Sequence, residues 1–446
     1  MTAAQVKGAM GPTSFAEMAR LSGEFADWHN LLYKATWLTG ELNLDAVRHA
    51  WRRLCLRHDV MRRSFVSADE AFTSEGMVSE VEFHTADSDA EGIELMGRIL
   101  GTPFGLDSPG FSRIAVVQRS ERRHLLGIAV DHIISDQISW ARIRGDFAEF
   151  YNRALVGDTD DVAQENTYQN FAAQQRSRFA GAWGEERRAF WHSYAEEFGT
   201  YPPRFQVGAE HRGEPKLRVV TRDLPADAKA RVHAFSLEAR ATPFAVTSAS
   251  VLAGMREVTG DPLVGISTNQ HGRMLPGTSQ TVGLFVQTVP LHLGLEVRSP
   301  LETVREVFLR THDVFECSLP LRVAGRYWNE DLMVPDQEPG LYVALNEDLP
   351  SSADLPPLTG TEAEYADLDI KGGKRWPETV VVEWNLYETG PRLSAYYNEN
   401  YFPGAAVEQL LEAAERFALP DGNGTMGRRP ASRHPGAAAA SFGASR

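Results

Sequence analysis

An apolar run, Leu125 to Val130, breaks into the polar stretch Asp131-His132-Ile133-Ile134-Ser135-Asp136-Gln137-Ile138-Ser139 and then into an amphipathic run, Trp140 to Tyr151. A buried strand feeding a helix through a short loop confines the chain to mixed α/β architectures. It also puts a histidine, with a carboxylate four residues on, where rigid elements hold it still, a suitable position for a general base and its structural partner. Alone, His-x-x-x-Asp is a spacing that chance often supplies.

The rest of the chain repeats this mixed grammar. Residues 1–12 carry no periodicity and read as a flexible arm. A helix is expected over Phe15–Ala26 and a strand over Leu31–Leu38. Asn43 reads as the N-cap of a helix to about His58, whose Val47, Ala50, Trp51 and Leu54 share one face. Strands are expected at Met61–Val66 and Met77–Phe83 and a helix at Ala90–Leu100. Phe111–Gln118 and His124–Val130 read as a hairpin, and Tyr168–Phe198 as a further helical region.

After Pro202-Pro203 the pattern recurs. Strand Lys216–Leu224 is followed by helices Ala226–Ala239 and Pro243–Thr259, strand Leu263–Thr268, and a Gly/Pro-containing loop, Gly272 to Gly283. An apolar run Leu284–Leu293 and a helix Leu301–Phe315 come next. Pro335–Pro377 reads as a long loop of the kind that covers a site. Thr379–Asn385 and Arg392–Tyr397 read as a closing hairpin, Ala405–Phe417 as the last helix, and residues 420–446 as a disordered tail.

At 446 residues the chain is too long for one core, so two lobes are expected, 13–180 and 181–419, meeting within about 175–210. The net charge of −15 with no long basic run argues against nucleic acid or anionic membrane as partner. No secretory signal and no apolar run long enough to span a bilayer are present, which predicts a soluble, cytoplasmic protein. The two cysteines, Cys55 and Cys317, are expected as buried thiols; neither a metal site nor a disulfide framework is expected.

With these elements in order, the sequence resembles the condensation domains of nonribosomal peptide synthetases, of the chloramphenicol acetyltransferase-like superfamily. The family's His-His-x-x-x-Asp-Gly is similar to Asp131-His132-Ile133-Ile134-Ser135-Asp136-Gln137. Arg57-His58-Asp59-Val60-Met61-Arg62-Arg63-Ser64-Phe65 resembles its Arg-His-Glu-x-Leu-Arg-Thr-x-Phe. Tyr168-Gln169-Asn170-Phe171-Ala172 and Val282-Gly283-Leu284-Phe285-Val286-Gln287-Thr288 resemble two more motifs, and Tyr397-Asn398-Glu399-Asn400-Tyr401-Phe402 has the look of a fifth. The extreme N-terminal motif is matched loosely at Ser14–Leu21.

The resemblance implies an α/β (α+β sandwich) fold: a pseudo-dimer of two acetyltransferase-like lobes in a V, with a central tunnel. It implies a free-standing, monomeric acyltransferase of natural-product biosynthesis without bound cofactor. Its acyl or peptidyl donor would arrive as a thioester on the phosphopantetheine arm of a carrier protein, and its acceptor would be a small-molecule amine or alcohol. His132 is then the catalytic residue that takes a proton from the acceptor or aligns it. Asp136, the second residue of the catalytic motif, is expected to brace the loop, with Arg273 as partner. Asp131, Gln137, Ser139 and Arg273 are the expected substrate-binding positions.

Arg62 and Arg63 are expected in folding or a surface ion pair. Arg176, Arg178, Arg187 and Arg188 are expected as a solvated helix face or a docking patch. Two departures bear on activity: Asp131 replaces the family's first histidine, and Gln137 its glycine. They leave open a catalytically degenerate platform that binds a carrier protein or recruits a tailoring enzyme, and a role in cyclisation or dehydration of a bound intermediate.

Overall fold

The computed structural model describes residues 7–22, 31–105, 108, 110–159, 167–199, 205, 216–294, 299–319, 321, 324–325, 340–347, 355–368, 370, 379–387 and 390–420. The first half forms β1 (Gly8–Pro12), α1 (Phe15–Ser22), β2 (Leu31–Gly40), α2 (Leu44–Arg57), β3 (Arg63–Phe65), β4 (Glu70–Ser74) and β5 (Val81–Thr85). It continues with α3 (Asp89–Gly101), β6 (Ser112–Ser120), β7 (Arg123–Asp131), α4 (Gln137–Leu155), α5 (Tyr168–Phe179) and α6 (Ala182–Phe198). The second half adds β8 (Leu217–Asp223), α7 (Ala228–Ala239), α8 (Pro243–Thr259), β9 (Leu263–Gln270), β10 (Gln287–Gly294) and α9 (Pro300–Glu316). It closes with β11 (Gly340–Glu347), β12 (Thr361–Ala366), β13 (Thr379–Leu386), β14 (Arg392–Asn398) and α10 (Gly404–Ala418).

β7 explains the apolar run that opens the motif. It lies centrally in a five-stranded sheet of order β12-β2-β7-β6-β5 and is covered on both faces, so its residues are apolar almost without alternation. One face packs on α2 and α4 through Trp51, Leu54, Leu126, Ile128 and Phe147. The other receives α3, whose Met96 and Leu100 come so close to Gly127 that a Cβ there would lie 2.2 Å from the Met96 sulfur. The hairpin of β6 and β7 and the cap at Asn43, whose side chain accepts from Ala46 N, are as the sequence predicts.

A second sheet, of order β10-β9-β11-β13-β14-β8, carries α7, α8, α9 and α10 over one face in a separate core. The two sheets with their helices form the two lobes of an α/β pseudo-dimer in a V.

Several expectations change. Gly8–Pro12, in the expected arm, pairs antiparallel with β4, which the sequence reading missed. Residues 23–26 of the expected first helix and 421–446 of the expected tail lie outside the described residues.

The expected covering loop contains β11, which sits between β9 and β13 and runs parallel to both, and β12, which pairs with β2 in the first sheet. Short β segments between Pro/Gly-rich stretches give no local period long enough to read; their pairing is wholly tertiary. Cys55 is buried, its thiol pushed up to about 12 by desolvation, whereas Cys317 is only half-buried at the end of α9.

Among the described residues no helix is long and apolar enough to cross a membrane, and no three His, Cys, Asp or Glu residues gather as metal ligands.

Candidate functional site

The loop from Asp131 to Asp136 is a set of interlocked turns. Ile134 N–H donates to the Asp131 carbonyl (3.1 Å), and Ser135 N–H to that of His132 (3.4 Å). The Asp131 carboxylate turns inward and accepts from Ile133 N–H at 2.8 Å. Asp131 is buried and stabilises the turn that presents His132.

Asp136 ends the loop as the N-cap of α4, accepting from Ser139 N–H (2.8 Å). It also reaches into the second half of the chain. Its oxygens accept from the Arg273 guanidinium at 2.9 and 3.2 Å and from Phe285 N–H at 3.1 Å. Both side chains of this ion pair are about 95% removed from solvent.

Arg273 donates further to the carbonyls of Thr278 (3.0 Å) and Thr281 (2.8 Å) and to Ser139 Oγ (2.7 Å), and its guanidinium lies 3.9 Å from the centre of the Phe285 ring. The predicted Asp136–Arg273 pair is therefore present and bridges the halves. These bonds make Asp136 a fixed tie between the loop, α4 and the second lobe.

Ser139, expected to contact substrate, is buried. Its hydroxyl donates to the Gly283 carbonyl (2.7 Å) and accepts from Gly283 N–H (3.0 Å) and from Arg273. Arg273, expected in the same role, is likewise turned inward, its two terminal nitrogens donating to Asp136, Ser139, Thr278 and Thr281. Both belong to the brace beneath the site because buried donors and acceptors are satisfied within the protein first. Gln137 is the first residue of α4 and half-buried. Arg240 alone among the described non-glycine residues has a positive φ, so the backbone at Gln137 does not require the family's glycine.

His132 sits above this brace, half-buried, its ring hydrogen-bonded to backbone at His132 and Ser135. Its pKa is pushed down to about 4, chiefly by desolvation and next by the charge of Arg20; Asp136 and the backbone bonds pull the other way. At neutral pH the imidazole is thus uncharged and able to accept a proton. Arg20 comes from α1, and its charge also interacts with Asp131. Sequence reading missed it: the helix expected over Phe15–Ala26 and the loose match at Ser14–Leu21 both pointed to α1, but neither singled out Arg20.

Other arginines are structural. Arg63 is inside the protein, on Glu17 (2.8 and 3.1 Å) and the Pro12 carbonyl (2.6 Å), and Arg62 bonds the Cys55 carbonyl (3.0 Å); neither is in a surface ion pair. Of the expected patch, Arg176 is tied to the Thr13 carbonyl (2.9 Å), Arg187 to that of Glu316 (2.6 Å), and Arg188 to Glu185 (3.5 Å).

Two acetyltransferase-like lobes joined over a histidine loop define a class of two-lobed α/β folds. Within it, this chain belongs to the condensation domain family, whose model matches residues 31–316. It is 25% identical over 305 residues to the beauvericin nonribosomal cyclodepsipeptide synthetase of Beauveria bassiana, covering 65% of this chain and 9% of that protein's length. In fold it is similar to the condensation domain of the monacolin K polyketide synthase MokA, with a TM-score of 0.72 at 16% identity over 92% of this chain and 98% of that one. It is also similar to a chain of the complex of the X-domain and OxyB from teicoplanin biosynthesis, with a TM-score of 0.74 at 15% identity over 92% and 93%.

Proposed function

We propose that the protein is a condensation-type acyltransferase. It joins an acyl or peptidyl group, delivered as a thioester on the phosphopantetheine arm of a carrier protein, to an amine or a hydroxyl. The observation that carries this reading is His132: an uncharged imidazole fixed on a braced loop at the junction of the lobes. The acceptor nitrogen or oxygen attacks the thioester carbonyl and forms the C–N or C–O bond while the C–S bond breaks. His132 accepts the acceptor's proton, or aligns it, and a proton is returned to the departing thiolate. A pKa of about 4 makes His132 a weak base, so alignment of the nucleophile contributes much of its effect.

A second reading is a platform that binds a carrier protein or a tailoring enzyme without chemistry. Asp131 and Gln137, which replace the family's first histidine and glycine beside His132, favour it. Intact-protein mass spectrometry separates the two. An acyl-loaded carrier is incubated with a panel of amines and alcohols, with wild type and His132→Ala in parallel. Deacylation of the carrier with a matching amide or ester, in wild type alone, is the expected result. Equal transfer by His132→Ala removes the role given to His132. A saturable complex without transfer over the whole panel supports the platform.

A further inference from the structure

The second sheet has two unlike faces. Val343, Val382, Trp384, Leu393 and Ala395 point into the core under α8 and α10. The alternate residues of β11, β13 and β14 point the other way, and there the chemistry is polar. Glu383 lies on this polar side of β13, opposite Ala344 of β11 and Ser394 of β14. Asn385 and the Tyr396 hydroxyl hydrogen bond its carboxylate, and Asn346 Nδ2 donates to Asn385 Oδ1 at 2.7 Å, which fixes the amide.

What this network lacks, among the described residues, is a cation. Burial is the largest influence on Glu383 and raises its pKa; the two hydrogen bonds oppose it, and no charged partner contributes. Arg392, level with Asn385 on the neighbouring strand, is instead paired with Asp223 at 3.3 Å. A half-buried carboxylate without a counter-ion is unfavourable in the free protein, and a cation brought by a ligand relieves that cost.

Its place in the sheet connects it to the His132 loop. β9, β11 and β13 run parallel, with Tyr342 beside Ser267 and Ala344 beside Glu383. Glu383 is therefore level with Asn269, two strands or about 10 Å across the sheet. Just past Asn269 the chain leaves β9 and reaches Arg273, the partner of Asp136.

We propose that Glu383, held by Asn385 and Tyr396, is a recognition site for an ammonium group on the substrate, remote from the reacting carbonyl. The site selects acyl groups or acceptors that carry a second, protonated amine. This rests on the acyltransferase reading for the identity of the substrate, but binding tests it without turnover.

The probes are the non-hydrolysable amide analogues of the pantetheine thioesters of Nα-acetyl-lysine and Nα-acetyl-2-aminoheptanoic acid. They differ only by ammonium for methyl at the end of the side chain. Binding to His132→Ala and to wild type is measured by calorimetry. The lysine probe is expected to bind at least about tenfold more tightly. In Glu383→Gln, which keeps the shape and loses the charge, the preference is expected to vanish while the heptanoic probe binds as before.

Equal affinities for the two probes in wild type, or failure of both to bind, overturns the proposal, and needs no variant to fold. A preference that survives Glu383→Gln in a protein with unchanged melting also overturns it. Absence of acyl transfer alongside an intact lysine preference would count against the acyltransferase reading alone.

Discussion

At the scale of single residues, the site is a neutral imidazole standing on a buried ion pair. Asp136→Ala removes the helix cap and leaves the Arg273 guanidinium buried without its counter-charge, which is expected to cost about 3–5 kcal/mol in urea denaturation. Arg273→Lys keeps the charge but cannot reproduce the fan of bonds to Asp136, Ser139, Thr278 and Thr281, and is expected to lose stability as well.

His132 titrates near 4 when folded and near 6.5 when unfolded, so the unfolded chain binds the proton more tightly. Its contribution to stability is present above pH 6.5, is lost progressively as the pH falls towards 4, and changes no further below that. His132→Gln is expected to reduce the slope of unfolding free energy against pH in that window by up to about one proton, read from urea midpoints at several pH values. If His132 is the base, the acid limb of the transfer rate lies well below the 6.5 of a free imidazole, because the residue stays unprotonated almost to pH 4.

At the scale of elements, a short segment between Arg273 and β10 holds the lobes together. Phe285 inserts into the first lobe's core against Tyr168 and Phe171, with ring centroids 5.1 and 4.5 Å away. The Tyr168 hydroxyl bonds the Leu284 carbonyl (2.5 Å) and Ser14 Oγ (2.8 Å). Gly283 lies flat on the Tyr168 ring, where a Cβ would come within 2.0 Å of it. Gly283→Ala must push either the ring or the segment aside, at an expected cost of about 1–3 kcal/mol. Tyr168→Phe keeps the ring and loses its hydrogen bonds, about 1 kcal/mol. Thermal and urea denaturation of the two variants order them.

These elements also mark what could be read in advance. The β7–loop–α4 unit, the Asn43 cap and the Asp136–Arg273 pair were legible because period, cap chemistry and motif are local signals, or signals carried by a family pattern. β11 and β12 were not, since their place depends on partners far away in sequence. Nor were Arg20 and Glu383, whose importance comes from what burial does to their charge beside other elements.

At the scale of the molecule, the two sheets do not divide the chain cleanly. β12 comes after most of the second sheet, yet pairs along β2 from Thr361↔Gly40 to Ala366↔Ala35. Together with Phe285 in the first core and Arg273 on Asp136, this pairing ties the lobes to each other. Calorimetry is expected to show one unfolding transition for both, and Gly283→Ala to broaden or split it.

The strand exchange has a consequence in time. A ribosome making this chain delivers β2, β7 and β6 early, but the neighbour that closes the outer edge of that sheet begins only at Thr361. During synthesis the nascent first sheet carries an open edge, the kind of surface that pairs with other chains. Translation speed and chaperone supply therefore bear on the yield of this protein more than the compactness of its first half suggests.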